Sequence, residues 1–538
     1  MLACRRPSPG QRFTRSTASR NDPPAPELSQ ARIAAAISAA IAFVVYLRTM
    51  LPGVSVGDWA EMQFIPAQLG VPHPTGYPLY VLAGKLFSLL PVGSVAFRAG
   101  LLSVVAASAA VAVAVLIASR LGARPVIAGA AGLALAFTGT LWLEATFPEM
   151  NGLHLLLVAL VVHRAILWHA ERRDRDLLLG ALFCGLALSN HLLAATTVPI
   201  VILFVLWDAR RRLLERPVLL LQAGLLLAVG LSPYLFIPLR ALAGPPEVYA
   251  SLATPDGLVG LVTGADFRHN MHFFSGESLA AAWRAVPTIV AHMLERSSAV
   301  FLIGGVLGLA LLARRDAWSA ALLVLITASG VYFLANYVSD LYHYLLVGWL
   351  ALTVGIAVAA EWMVRGLEAA LGTSTTPGTP VGRARAVLPG LVLLLPLSIG
   401  IQQWPVNDQS ANTVGERLAE EIFSQLPPNA ILVTYWDALT TLSYKHCMEG
   451  VRPDLTLRAY DPATRVTCDR VTDPLQDEMR RGRPAFALFA RAGDENPLRE
   501  SFELIEGPTL ELPYGQRYLD HRGPLYRLEL KDVADPGG

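Results

Sequence analysis

Roughly eleven stretches of about 20 predominantly apolar residues run through this chain, and a stretch of that length and composition is the signature of a helix that crosses a bilayer. They lie near 31–49, 98–119, 125–144, 150–168, 176–194, 195–208, 217–239, 293–313, 317–336, 341–363 and 386–403. The fifth and sixth runs are separated by little more than Ala194-Ala195-Thr196, which predicts a tight hairpin or a broken helix. Hydrophobic residues make up 54% of the 538 positions and charged residues only 16%, far from the soluble average. A net charge of +1, with the basic residues dispersed at the ends of the apolar runs, gives no footprint for nucleic acid.

Those basic residues set the topology instead. Lys and Arg collect in every second short loop, at 120–124, 171–175, 210–212, 314–315 and 365–385. The alternate loops hold Asp58 and Glu61, Glu144 and Glu149, Asn190 and His191, the stretch 240–284, and Asp340. The N-terminus is therefore expected on the cytoplasmic side, and an odd number of spans carries the C-terminal residues to the exoplasmic side. Residues 1–30, with five arginines among Pro, Ser and Thr, read as a disordered cytoplasmic tail. The transmembrane domain is expected over 31–404.

The first exoplasmic loop, 50–97, concentrates the chemistry. Asp58 and Glu61 are three residues apart, so a helical backbone there puts both carboxylates on one face. Pro72, Pro74 and Pro78 restrict the chain around them, so His73 and Tyr77 are expected in a defined loop. Two carboxylates beside a histidine suit acid/base work or a cation; a histidine bonded only to loop backbone is the bland alternative. Asn190 and His191 end the fifth run, where polar groups are costly unless paired or used. Glu149 is a second acidic candidate, although a lone interfacial carboxylate is more often solvated. His269 and His272 are weak metal ligands by spacing; no cofactor is certain, and a divalent cation (Mg or Mn), if one is used, sits better on Asp58 and Glu61.

From 405 to 538 the hydrophobicity drops and short helix and strand signals alternate, which predicts a separate soluble α/β domain on the exoplasmic side. Helices are expected over 412–425 and 438–449, and strands over 430–435, 455–460 and 485–489, forming a small parallel sheet. No glycine-rich phosphate loop accompanies them. Cys447 and Cys468 share this domain; a bridge and two free thiols are equally compatible with the spacing.

Gly57-Asp58-Trp59-Ala60-Glu61, followed by Leu69-Gly70-Val71-Pro72-His73-Pro74-Thr75-Gly76-Tyr77-Pro78-Leu79-Tyr80, resembles the signature of a membrane family that includes the animal transmembrane O-mannosyltransferase of plexin-type receptors. The family belongs to the GT-C glycosyltransferases. Its usual wording is Gly-Asp-Ser-Gly-Glu and His-Pro-Pro-Gly-Tyr-Pro, so Trp59, Ala60 and Thr75 depart from it while the acidic, His and Tyr positions are kept. Blocks at 185–191, 233–240 and 449–454 extend the likeness from about residue 40 to 460.

The resemblance implies a GT-C-like polytopic α-helical protein that moves mannose or a similar hexose from a polyprenyl-phosphate donor to an acceptor hydroxyl on protein or glycan. It implies the exoplasmic face of a membrane, here expected to be a bacterial inner membrane. Asp58 is then the expected base and Glu61 its partner. His73, Tyr77, Asn190, His191, Glu149 and Arg240 are expected to contact substrate, with Arg240 binding the donor phosphate or else snorkelling to lipid headgroups. Arg98 and Arg268 are weaker phosphate candidates. Two other classes fit a polytopic chain: a transporter or flippase of lipid-linked sugars, which should carry midplane polar residues or inverted repeats, and a noncatalytic assembly factor.

Overall fold

The computed structural model describes residues 25–244, 254–273, 276–337, 342–372, 379–460, 467–468, 473–489, 496–511 and 522–531. Asp340 and most of the N-terminal tail lie outside them.

The first helix, α1 (Ala25–Thr49), begins six residues earlier than the tail expected over 1–30 allows. It is followed by α2 (Gly57–Gln68), α3 (Pro78–Ser88), α4 (Val95–Arg120), α5 (Pro125–Ala136), α6 (Gly139–Thr146), α7 (Asn151–Glu171) and α8 (Asp174–Asn190). The apolar chain continues through α9 (Val198–Glu215), α10 (Pro217–Leu231), α11 (Phe236–Ala243), α12 (Pro255–Thr263), α13 (Ser278–Glu295), α14 (Ala299–Ala313), α15 (Ala317–Ala335), α16 (Leu346–Ala370), α17 (Pro380–Leu391) and α18 (Leu394–Asn407).

Among the described residues, eight helical segments are long and apolar enough to span a bilayer, and ten if two bent pairs each count as one. The chain is a multi-pass membrane protein. The bent pairs correct two of the straight runs read from the sequence. Helices α5 and α6 turn by 66° at Phe137-Thr138, and α13 and α14 turn by 119° around Arg296-Ser297-Ser298. The second break has a local cause, because Ser298 leaves the helix and its Oγ accepts from Phe301 N at 3.2 Å, capping α14. The short sixth run proves to be part of a 24-residue segment, Leu192–Glu215, that opens with a 3₁₀ turn after His191.

Helix α4 lies at the centre, packed by α1, α5, α7 and α16, and nearly all of its inward face is small or β-branched. In lipid there is little hydrophobic gain from helix pairing, so close van der Waals approach must supply it. The contact of α14 with α16 shows this most plainly: a Cβ on Gly308 would lie 1.7 Å from the Gly355 carbonyl oxygen.

Beyond α18, α19 (Val414–Gln425), β1 (Ile431–Thr434), α20 (Trp436–Glu449), β2 (Thr456–Ala459), α21 (Leu475–Arg480), β3 (Ala485–Leu488), α22 (Asn496–Ser501), β4 (Phe502–Glu511) and β5 (Arg522–Leu530) form an α/β unit. Its sheet has the order β2-β1-β3-β5-β4. The three strands read from the sequence are parallel, as expected, but a β4–β5 antiparallel pair extends the sheet along β3. Alternation in Phe502-Glu503-Leu504 and Leu525-Tyr526-Arg527-Leu528 carried that signal. Cys447 and Cys468 are joined in a disulfide across Cα atoms 5.8 Å apart, which resolves the open choice between bridge and free thiols.

This unit is not a detached cap. Val54, Val56, Ala60, Phe64 and Ile65, at and before α2, share one apolar core with Leu418, Ile422, Leu439 and Leu442 of α19 and α20. Thr441 donates to the Ser55 carbonyl at 2.9 Å, and the Tyr444 hydroxyl accepts from Ala96 N at 3.0 Å.

Candidate active site

Helix α2 places Asp58 and Glu61 one turn apart, but their surroundings differ completely. Asp58 is exposed and Glu61 is fully buried. One Glu61 oxygen accepts from the His73 backbone N–H at 2.8 Å, and the other is ion-paired with His73 Nδ1. The far side of the ring is also occupied. Tyr77 donates its hydroxyl to the Pro74 carbonyl at 2.9 Å, so at 3.2 Å its oxygen receives the His73 Nε2–H. With Glu61 on one ring nitrogen and the Tyr77 oxygen on the other, the surroundings of His73 favour the imidazolium form. Burial alone would lower its pKa, yet the negative charges of Glu61 and Asp58 push it up to about 9. Burial raises the Glu61 carboxyl, and the His73 cation opposes that shift.

Asp58 is gripped from the other end of the sequence. The Trp436 indole, at the start of α20, donates Nε1–H to Asp58 Oδ1 at 2.6 Å. The neighbouring Asp437 lies against Gly57, where a Cβ would sit 2.4 Å from Asp437 Oδ1 and where φ is +60°. Only glycine meets both demands. Burial first, and the charge of Asp58 second, push the Asp437 carboxyl up to about 7. Neither Trp436 nor Asp437 stood out in the sequence; the one local hint was the glycine before Asp58.

The remaining candidates are brought together in part. Tyr77 and His191 meet ring edge to ring face with centroids 5.2 Å apart, and His154 lies 5.6 Å beyond His191. His154 was missed by sequence reasoning because it sits inside an apolar run; it is buried and neither ring nitrogen has a hydrogen-bond partner. Asn190 donates to the Met150 carbonyl at 3.2 Å. Glu149 is reached by Asn151 Nδ2 at 3.4 Å, and the same amide bonds Glu144 at 2.9 Å. Burial, then the charges of Glu144 and Asp58, hold the Glu149 carboxyl well above its ordinary range.

Arg240 arrives beside the loop, yet its Nε donates to the Leu69 carbonyl at 2.6 Å, so it braces the loop at the left-handed Leu69. Arg98 donates to the Ser88, Leu90 and Ser94 carbonyls and closes the turn after α3, and Arg268 bonds Thr263 at 2.7 Å. These two are structural in this arrangement.

Among the described residues, one cluster has the ligand-atom spacing of a cation site: Asp58, Glu61 and His73, with atoms within 4.8 Å of one another. The donor set does not fit a Mg or Mn ion as arranged, because both Glu61 oxygens are engaged by His73 and the His73 nitrogens are taken by Glu61 and Tyr77. His269 and His272 belong to no such cluster.

Residues 58–214, from the first carboxylate of α2 to the end of α9, match the protein O-mannosyl-transferase TMEM260 N-terminal domain. That stretch of the chain is similar to the TMEM260 proteins. The chain is 28% identical to the mouse protein O-mannosyl-transferase TMEM260 over 455 residues, covering 79% of this chain and 62% of that one. It is 22% identical to the Dictyostelium discoideum tmem260 over 462 residues, covering 77% and 55%. The chain thus spans about three fifths of the length of these relatives. Among solved structures, ArnT from Cupriavidus metallidurans superposes in its apo state with a TM-score of 0.59 at 15% identity, over 92% of this chain and 97% of that one. The same enzyme bound to undecaprenyl phosphate gives 0.55 at 14% identity, over 93% and 99%. The chain shares the fold of ArnT, in keeping with the GT-C-like polytopic fold that the resemblance implied.

Proposed function

We propose that this chain is a GT-C glycosyltransferase that moves a mannosyl or similar hexosyl group from a polyprenyl phosphate to a protein hydroxyl at the exoplasmic face. The observation that carries the reading is the pairing on α2 of an exposed, indole-held carboxylate with a buried carboxylate locked to an imidazolium, inside the segment that matches TMEM260. The names of the mouse and Dictyostelium relatives support transfer to protein, and the undecaprenyl phosphate bound by ArnT supports a lipid-phosphate donor. The alternation of basic and acidic loops supports an exoplasmic site, as does a disulfide in the attached α/β unit.

The chemistry follows from the two environments. The acceptor oxygen attacks the anomeric carbon as the bond from that carbon to the phosphate oxygen breaks. The bonding pair stays on the phosphate, and the acceptor proton passes to Asp58. Asp58 suits the role because it is exposed and its Trp436 bond fixes the carboxylate direction. Glu61 does not, since both its oxygens are spent on His73. The His73 imidazolium places a fixed positive charge beside the site, where it stabilises the departing phosphate. Tyr77, His191, Asn190 and Glu149 form the polar wall facing the sugar.

Membranes containing the protein, supplied with polyprenyl-phosphate [³H]mannose, should incorporate label into protein. Absence of label from this donor and from the glucosyl and arabinosyl analogues overturns the reading. Movement of the intact donor across vesicles without transfer would favour a flippase.

A further inference from the structure

At the far end of α7, about 25 Å from Asn151 at 1.5 Å per residue, a cavity opens between α7, α8, α9 and α10. Its volume is about 320 Å³, and its walls are almost wholly apolar, from Val161, Val201, Leu220 and their neighbours. Two charged residues line it, Arg164 and Asp176, joined by a 2.8 Å ion pair. The pair leaves atoms over. Arg164 Nε is buried with no hydrogen-bond partner, and so is Asp176 Oδ2, which lies 3.9 Å from Arg175 Nε. Trp168, also in the wall and fully buried, has no acceptor for its Nε1–H. Arg172 and Arg212 lie over its ring at 5.8 and 5.4 Å.

Buried donors and acceptors without partners are costly, and more so in an apolar surrounding. Here two orphan N–H groups and one orphan carboxylate oxygen stand at the basic end of an apolar cavity in a membrane-spanning bundle. We propose that the cavity is a phospholipid site that selects phosphatidylethanolamine. An acyl chain fills the apolar part, the lipid phosphate accepts from Trp168 Nε1 and Arg164 Nε, and the ammonium donates to Asp176 Oδ2. Charge complementarity decides the occupant. Phosphatidylcholine has no N–H to give to Asp176, and an anionic headgroup without an ammonium would leave Asp176 Oδ2 without a donor. The site is independent of sugar transfer and lies at the opposite end of α7.

Two variants test it. Trp168→Phe removes an N–H that has no protein partner together with part of a buried ring, so its melting temperature is read beside its binding. Gly224→Phe fills the cavity, since a Cβ there meets nothing within 4 Å. Delipidated full-length protein in detergent is titrated with dioleoyl phosphatidylethanolamine, -choline or -glycerol and read by native mass spectrometry, with thermal melting of the lipid-free form as the fold control. The expected result is one tightly held ethanolamine lipid, favoured roughly tenfold over choline. Gly224→Phe should abolish it, Trp168→Phe should weaken it severalfold, and Asp176→Asn should erase the ethanolamine preference. Equal binding of ethanolamine and choline lipids, a preference for the glycerol lipid, or undiminished binding by Gly224→Phe each overturns the assignment.

Discussion

The two ends of α7 treat their acidic residues in opposite ways. At the C-terminal end the carboxylates are met by arginine: Glu171 by Arg120 and Arg173, Asp174 by Arg212 and Arg216, Asp176 by Arg164, and Asp208 by Arg172. At the N-terminal end the partners are an imidazole for Glu61, an indole for Asp58, an amide for Glu149, and an imidazole and an amide for Glu144. Guanidinium stays charged at every relevant pH, so the first set fixes helices in place. Indole, amide and imidazole hold a carboxylate in position without fixing its protonation. At that end the carboxylates are held by groups able to exchange protons, while at the other arginine dominates and an imidazole, that of His169 at 2.9 Å, shares Asp208 with Arg172.

The contrast can be broken first through Glu61. Glu61→Gln leaves a buried imidazolium uncompensated, and breaking such a pair costs about 3–5 kcal/mol. Asp174→Asn, at the part-exposed arginine end, should cost no more than about 1 kcal/mol. Apparent stability of the two variants in detergent is the comparison, and equal losses would erase the distinction. A smaller effect is expected from Trp436→Phe. Loss of a hydrogen bond to a charged group is worth about 1.5–3 kcal/mol, so transfer should fall roughly tenfold at neutral pH. An unchanged transfer rate would reduce Trp436 to packing.

The His73 charge gives a pH signature of its own. Its folded pKa of about 9 lies above the ordinary 6.5, so the pair's contribution to stability is complete below about pH 6.5. It declines as pH rises and is gone above about 9, which predicts a falling melting temperature over that window, and a flatter one in His73→Gln. The smallest effect belongs to Asp437. Its pKa is raised from 3.8 to about 7, so the folded state loses stability as pH rises through that interval. Asp437→Asn should therefore stabilise the protein by about 1 kcal/mol at pH 8 and hardly at all at pH 4. A destabilised variant at pH 8 would mean that the carboxylate has a favourable partner.

Much of the site's local half was legible in the sequence, and little of its distant half. The three-residue spacing of Asp58 and Glu61, and the prolines around His73 and Tyr77, specify a helix and a stiff loop with local rules alone. Which carboxylate is exposed depends on what packs over α2, and that surface comes from α20, where Trp436 lies 378 residues away from Asp58. No periodicity or motif reports such a contact. The fold divides in the same way. Apolar runs located the spans, but the bends at Thr138 and Ser298 come from caps and packing that a hydropathy window averages away. Arg240 was legible as a cation near the loop, whereas its use on the Leu69 carbonyl depends on a left-handed residue that composition does not reveal.

The division of labour between Asp58 and Glu61 is tested most directly by single-turnover transfer from bound polyprenyl-phosphate mannose in wild type and Asp58→Asn, with donor binding measured on the same samples. Loss of a general base predicts a fall in the transfer rate of about 10²–10⁴ with donor affinity little changed. A rate within about threefold of wild type, or a loss confined to donor binding, would contradict the assignment of Asp58 as the base.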